Sequence, residues 1–225
     1  AVSWGEFIAA LARFFVMHSL PLRPCARGPL TKRLGRAGFS LAYSALSLAV
    51  LAWLIVAAGR APYVELWPWA PWQNLFPLIG TAAAGILVCL DVAKPTPFTI
   101  GGARNKAFDP HCPGIVGLTR HPLLVALAIW AASHAVPNGN LAHAILFSTF
   151  AAFAVLGQRM IARRKKREMG TVWAQWDSAR RIAGLHATGW RDTSVRLAAA
   201  AVLYATLVLS HPTLFGVSPL APFVR

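Results

Sequence analysis

His18, His121 and His134 fall in or against long apolar runs, where an ionisable side chain is costly and by default marks function. His18 closes the run WGEFIAALARFFVMHS, in which Arg13 also stands. His121 follows Arg120 at the mouth of RHPLLVALAIWAASHA, and His134 lies near that run's far end, one helical turn after Trp130 and on the same face. An imidazole stacked beside an indole can form one wall of a flat cofactor pocket. Zinc needs three or four ligands. Two neutral imidazoles from different helices, with no carboxylate beside them, fit haem b better, because haem iron takes axial imidazoles and the porphyrin wants apolar and aromatic walls. Arg13 and Arg120 could then neutralise the propionates, with His121 at the entrance supporting the same acidic arms. A plainer reading competes at each position. His134 can be a packing histidine bonded to a neighbouring carbonyl, His18 an interfacial imidazole, His121 a residue near the helix cap, and Arg13 a snorkelling cation.

The elements that position these residues follow from composition. Of 225 residues, 56% are apolar and only 13% charged, against about 25% charged in a soluble domain, and mean hydropathy is +0.53. Such a chain cannot cover its surface in water and reads as an all-α integral membrane bundle, one membrane domain over residues 1–225. No cleavable signal pattern is expected at the start. Apolar segments at about 4–22, 38–58, 71–93, 122–137, 141–158 and 195–215 make six expected spans, the fourth short for a crossing of about 20 residues. Pro137-Asn138-Gly139-Asn140 is a turn signal joining the fourth and fifth.

A net charge of +15 raises nucleic acid as a partner, but the cations sit in blocks between apolar runs rather than on one face. Connections 23–36, 94–120 and 159–191 carry five, four and nine of the 22 Lys and Arg residues, while 59–70 and 137–140 are nearly neutral. This alternation is a membrane-topology signature; it excludes nucleic acid and places the basic connections in the cytoplasm with both termini outside. Trp67, Trp69 and Trp72 read as an interfacial aromatic anchor. Segment 159–193, with RRKKR at 163–167, is expected along the inner surface against anionic lipid headgroups.

Other chemistry is sparse. Cys25, Cys89 and Cys112 form neither a pair framework nor a C-x-x-C-H haem attachment, so any haem is non-covalent. Asp109, His111 and Cys112 are too crowded by Pro110 for joint chelation and read as loop decoration. There is no G-x-S-x-G, P-loop or G-x-G-x-x-G, and Gly101-Gly102 is too little for a phosphate loop.

An ordered set of stretches carries a family resemblance: His18-Ser19 closing the first span, KRLGRAGFSLAYS at 32–44, LWPWAPW, PFTIGG, GIVGLTRHPLL at 114–124, Trp130-x-x-x-His134 and NGNLAHAILF at 138–147. Over residues 10–160 the chain resembles the NnrU family of bacterial membrane proteins, related to the 15-cis-zeta-carotene isomerase of plants and cyanobacteria. The resemblance implies a multi-pass protein of the bacterial inner membrane that binds haem b, with His18 and His134 as the iron ligands. It also implies either an isomerase-type reaction on a hydrophobic polyene or a role beside a nitrite or nitric oxide reductase system. Ala131 stands where the plant isomerase has cysteine, and no histidine follows the second span, so ligand exchange to that group is not available.

Two axial ligands must share one depth, yet His18 closes its span at the cytoplasmic side and His134 is roughly 20 Å from the cytoplasmic start of its own. Either the fourth segment begins deep in the membrane, with 94–121 folding inward, or His121 replaces His134. Two further readings stand beside haem chemistry. One is a non-catalytic factor for reductase maturation. The other is an S-adenosylmethionine-dependent membrane methyltransferase, suggested by the similarity of RHPLL to the isoprenylcysteine methyltransferases, although no tyrosine follows RHP and no paired acidic site follows downstream.

Overall fold

A computed structural model describes residues 3–19, 24–99, 105–185 and 189–223. Gly101, Gly102 and Arg104 lie outside them, as do the side chains of Cys25, Arg27 and Arg36. The described chain is helical: α1 Trp4–Ser19, α2 Pro24–Arg60, α3 Leu75–Asp91, α4 Pro122–Ala135, α5 Leu141–Met169, α6 Thr171–Ala183 and α7 Trp190–Phe215. Ala37–Arg60, Pro71–Asp91, Leu141–Met169 and Trp190–Phe215 are long and apolar enough to cross a membrane, whereas α1 has 16 residues and α4 has 14. This is the make-up of a multi-pass membrane protein. Each of the six expected apolar segments holds a helix among the described residues; α6 is additional.

The chain divides into two compact units, Ala1–Trp67 with Gly139–Leu146, and Pro68–Asn138 with Phe147–Arg225. In the first, Phe7, Ala10 and Phe14 form the buried stripe of α1, an i, i+3, i+7 pattern, and α2 buries Val50, Leu54, Ala57 and Ala58. Gly35 (φ 72°) breaks α2, so the apolar span proper begins at Ala37. The segment after α2 pairs with the expected turn: Leu66 N–H donates to the Gly139 carbonyl at 2.8 Å and Leu141 N–H to that of Val64 at 2.9 Å. A Cβ on Gly139 would stand 2.0 Å from the Trp67 carbonyl oxygen, so only glycine fits.

In the second unit α3 packs on α4 and α7. Gly80 near the start of α3 lies against Ser133 near the end of α4; the pair is therefore antiparallel, and Asp91 at the end of α3 is level with the start of α4. Arg196 of α7 donates to the carbonyls of Cys89 and Val92, both at 2.8 Å. The opposite end is tied by Asn74, whose amide donates to the Pro219 carbonyl at 3.1 Å. One end of this unit thus collects Asp91, Lys94, Arg120, His121, Asp177, Arg180, Asp192 and Arg196.

That charged end has its own core. Phe98, Phe108, Ile115, Val116 and Trp173 bury one another, with Ala162, Met169 and Trp176 packed against them. The described residues of this segment, 94–99 and 105–121, therefore form a folded cap rather than a plain connection. Helix α6 presents Trp173, Trp176 and Arg180, at i, i+3 and i+7, to that cap. Gly117 admits the Gly184 carbonyl, which a Cβ would meet at 1.8 Å.

Candidate functional site

Each histidine singled out by the sequence has its own surroundings. In the first unit, His18 sits in the last turn of α1, its Nδ1 bonded to the Phe14 carbonyl at 2.9 Å. An acceptor there requires the Nδ1–H tautomer, which makes Nε2 the lone-pair nitrogen. The Phe14 ring lies 4.2 Å from the imidazole and Tyr43 6.5 Å, with Phe39 stacked on Tyr43. The Tyr43 hydroxyl donates to the His18 carbonyl at 3.3 Å. Arg13, five residues before His18, lies over the Trp53 ring at 5.7 Å.

His134, in the second unit, repeats the arrangement. Its Nδ1 bonds the Trp130 carbonyl at 2.8 Å, fixing the same tautomer. The Trp130 ring is 4.8 Å away and Phe147 of α5 5.5 Å, and Trp130 also meets Phe150. The indole and imidazole therefore do share one face, as the four-residue spacing requires. The carbonyl bond is the one that a packing histidine makes; it is equally the bond that orients a metal-ligating imidazole.

His121 differs. It is 4% exposed, precedes the first turn of α4 without capping it, and neither ring nitrogen has a hydrogen-bond partner among the described residues. Burial pushes the imidazole down to about 4, and the Arg120 and Arg180 guanidiniums add to the shift. It is a neutral ring enclosed in protein, not a headgroup-facing one. Asp91, at the same end, also buries one carboxylate oxygen, Oδ1, without a partner among the described residues.

Arg120 is committed elsewhere. Its guanidinium donates to Asp177 Oδ2 at 3.0 Å and lies over the Trp173 ring at 5.8 Å. Asp177 also holds Arg180, whose Nε donates to Oδ1 at 2.8 Å, and Arg181 at 3.0 Å. Arg180 donates in turn to the Val116 carbonyl at 3.0 Å. Burial pushes the Asp177 carboxyl upward, but three guanidiniums outweigh it and hold the group below its ordinary range. This cluster fastens α6 to the cap. Sequence reasoning passed over Asp177 and Arg180; their signal was the i, i+3 spacing on an amphipathic stretch.

The structure brings Trp130 and His134 together, and Arg120 and His121 together, at opposite ends of α4. The two imidazoles are roughly 20 Å apart along the axis at 1.5 Å per residue, farther than an iron lies from its own propionates. One haem cannot use both sets. His18 and Arg13 belong to the other unit. In the loop expected to be decoration, His111 N–H donates to Asp109 Oδ1 at 2.9 Å and Cys112 is exposed. Among the described residues no three His, Cys, Asp or Glu side chains are grouped to hold a metal ion.

The family model described as NnrU protein matches residues 6–219. The chain belongs to the NnrU family. The match runs beyond the motifs at 10–160 and takes in α6 and α7, so the cap and its arginine cluster fall within the sequence this NnrU protein shares with its family. No curated protein and no solved structure matches the chain.

Proposed function

We propose that this NnrU-family chain is a haem b protein of the bacterial inner membrane. The imidazoles of His134, in one unit, and of His18, in the other, are those that would be offered to haem iron, and the chain would serve an isomerase-type reaction on an apolar polyene or a redox step linked to nitrite and nitric oxide reduction. The observation that carries the reading is the shared preparation of the two imidazoles. In each, Nδ1–H donates to the carbonyl four residues earlier, which makes Nε2 the lone-pair nitrogen, beside aromatic rings. Metal-bound histidines are held in this way, and the second hydrogen bond raises ligand basicity. The donor set fits haem: imidazole nitrogens and aromatic surroundings, with no grouping of three His, Cys, Asp or Glu among the described residues.

Haem, when bound, supplies a redox-active iron. The chain's own residues do the rest: Trp130 and Phe147 pack around the imidazole of His134, and Phe14 and Tyr43 around that of His18. Of the two cations expected to meet the propionates, Arg120 is held by Asp177, and Arg13 stands five residues before His18 on α1, over the Trp53 ring.

The test is an absorption spectrum, oxidised and reduced, of protein expressed with haem supplied, beside His18→Ala, His134→Ala and His121→Ala. Wild type should show a Soret band that the first two variants weaken or shift and the third leaves in place. Colourless wild-type protein overturns the proposal, and full haem in all three variants overturns the ligand assignment. Isomerisation of a cis-polyene by the coloured protein, tested in an engineered host, then separates an enzyme from a non-catalytic maturation factor.

A further inference from the structure

The RRKKR block is not one uniform charge. Arg164 Nε donates to Glu168 at 2.7 Å and Lys165 lies 3.1 Å from the same carboxylate, so one side of α5 is neutralised within the helix. Arg163, Lys166 and Arg167 occupy the other side at i, i+3 and i+4, and among the described residues none has an ion pair. These three, with Gly170 and Thr171 at the α5–α6 junction, line an open depression of about 690 Å³. No acidic side chain lines it.

We propose that this depression is a binding site for a phosphate monoester group. Two guanidiniums match the forked arrangement of phosphate oxygens and the lysine adds a point charge. The monoester could be a lipid headgroup or a soluble phosphate, since both present the same oxygens to the three cations, and competition between the two separates them.

The experiment is calorimetric titration of the detergent-solubilised full chain with dioctanoyl phosphatidic acid, with inorganic phosphate, and with the lipid in the presence of the phosphate. Saturable binding of the lipid is expected. R163Q/R167Q should weaken it about 25-fold, at about fivefold per juxtamembrane charge, and R164Q/K165Q less than about threefold. Thr171→Glu keeps every cation, and with them the topology signal, but sets a carboxylate in the depression; it should cost at least about tenfold. If millimolar phosphate fails to displace the lipid, the headgroup is the ligand; if it displaces it, the site takes soluble phosphate. Equal losses in the two double variants, an unaffected Thr171→Glu, or no binding of either probe overturns the site.

Discussion

Acidification isolates the buried imidazole at position 121. Burial, reinforced by Arg120 and Arg180, holds it at about 4 in the folded chain, against 6.5 for an unperturbed side chain. Between those values the unfolded chain takes up a proton there and the folded chain does not. Stability therefore falls as pH drops through that window, and above about pH 6.5 this residue contributes no slope. A gap of about 2.5 pH units is worth about 3 kcal/mol at 1.36 kcal/mol per unit, a fall in melting temperature of roughly 6–12 °C for a chain of this size. His121→Leu removes the titrating ring and its two unpaired nitrogens, each of which costs about 1–3 kcal/mol when buried without a partner. The variant should melt at or above the wild-type temperature near pH 7. Its acid limb between pH 6.5 and 4 should lose about 3 kcal/mol of slope relative to wild type. The assay is thermal unfolding in detergent, followed by tryptophan fluorescence at half-unit pH steps. An identical acid limb in both proteins, or a variant that melts well below wild type at pH 7, refutes the reasoning, since either result means that the ring is solvated or bonded.

Two further outcomes follow from packing and charge. Asp177→Asn leaves Arg180, 4% exposed, without its carboxylate; loss of one partner of a buried pair costs about 3–5 kcal/mol, to be read as earlier melting and faster proteolysis within 94–121 and α6. Gly80→Ala sets a Cβ 2.5 Å from the Ser133 Cβ and should destabilise by about 1–3 kcal/mol. Ser133→Gly in the same chain should restore most of that loss, a coupling that a double-mutant cycle measures directly.

The helices were legible because their signals are local. Apolar runs, Pro122 at the head of α4 and the Pro137–Asn140 turn each act within a few residues, and the structure has a helix in each run, with α5 continuing past the expected 158 to Met169. The pairing of Trp130 with His134 was equally legible, because a four-residue spacing on a helix fixes a shared face. What the sequence determined by itself, then, was an all-helical membrane chain, its family, and the residues able to offer imidazole nitrogens.

Tertiary structure decided what those residues are free to do. Arg120 looks available in the sequence, and it is Asp177, 57 residues later, that claims it. His121 was expected at an entrance and is enclosed instead, because the cap formed by Phe98, Phe108, Ile115, Val116 and Trp173 folds over that end of the second unit. RRKKR reads as one basic run, yet Glu168 neutralises only the side of the helix it can reach. Each outcome depends on which distant or neighbouring group arrives at a charge once the chain has folded. Burial and pairing are properties of contacts, and a local pattern does not contain them.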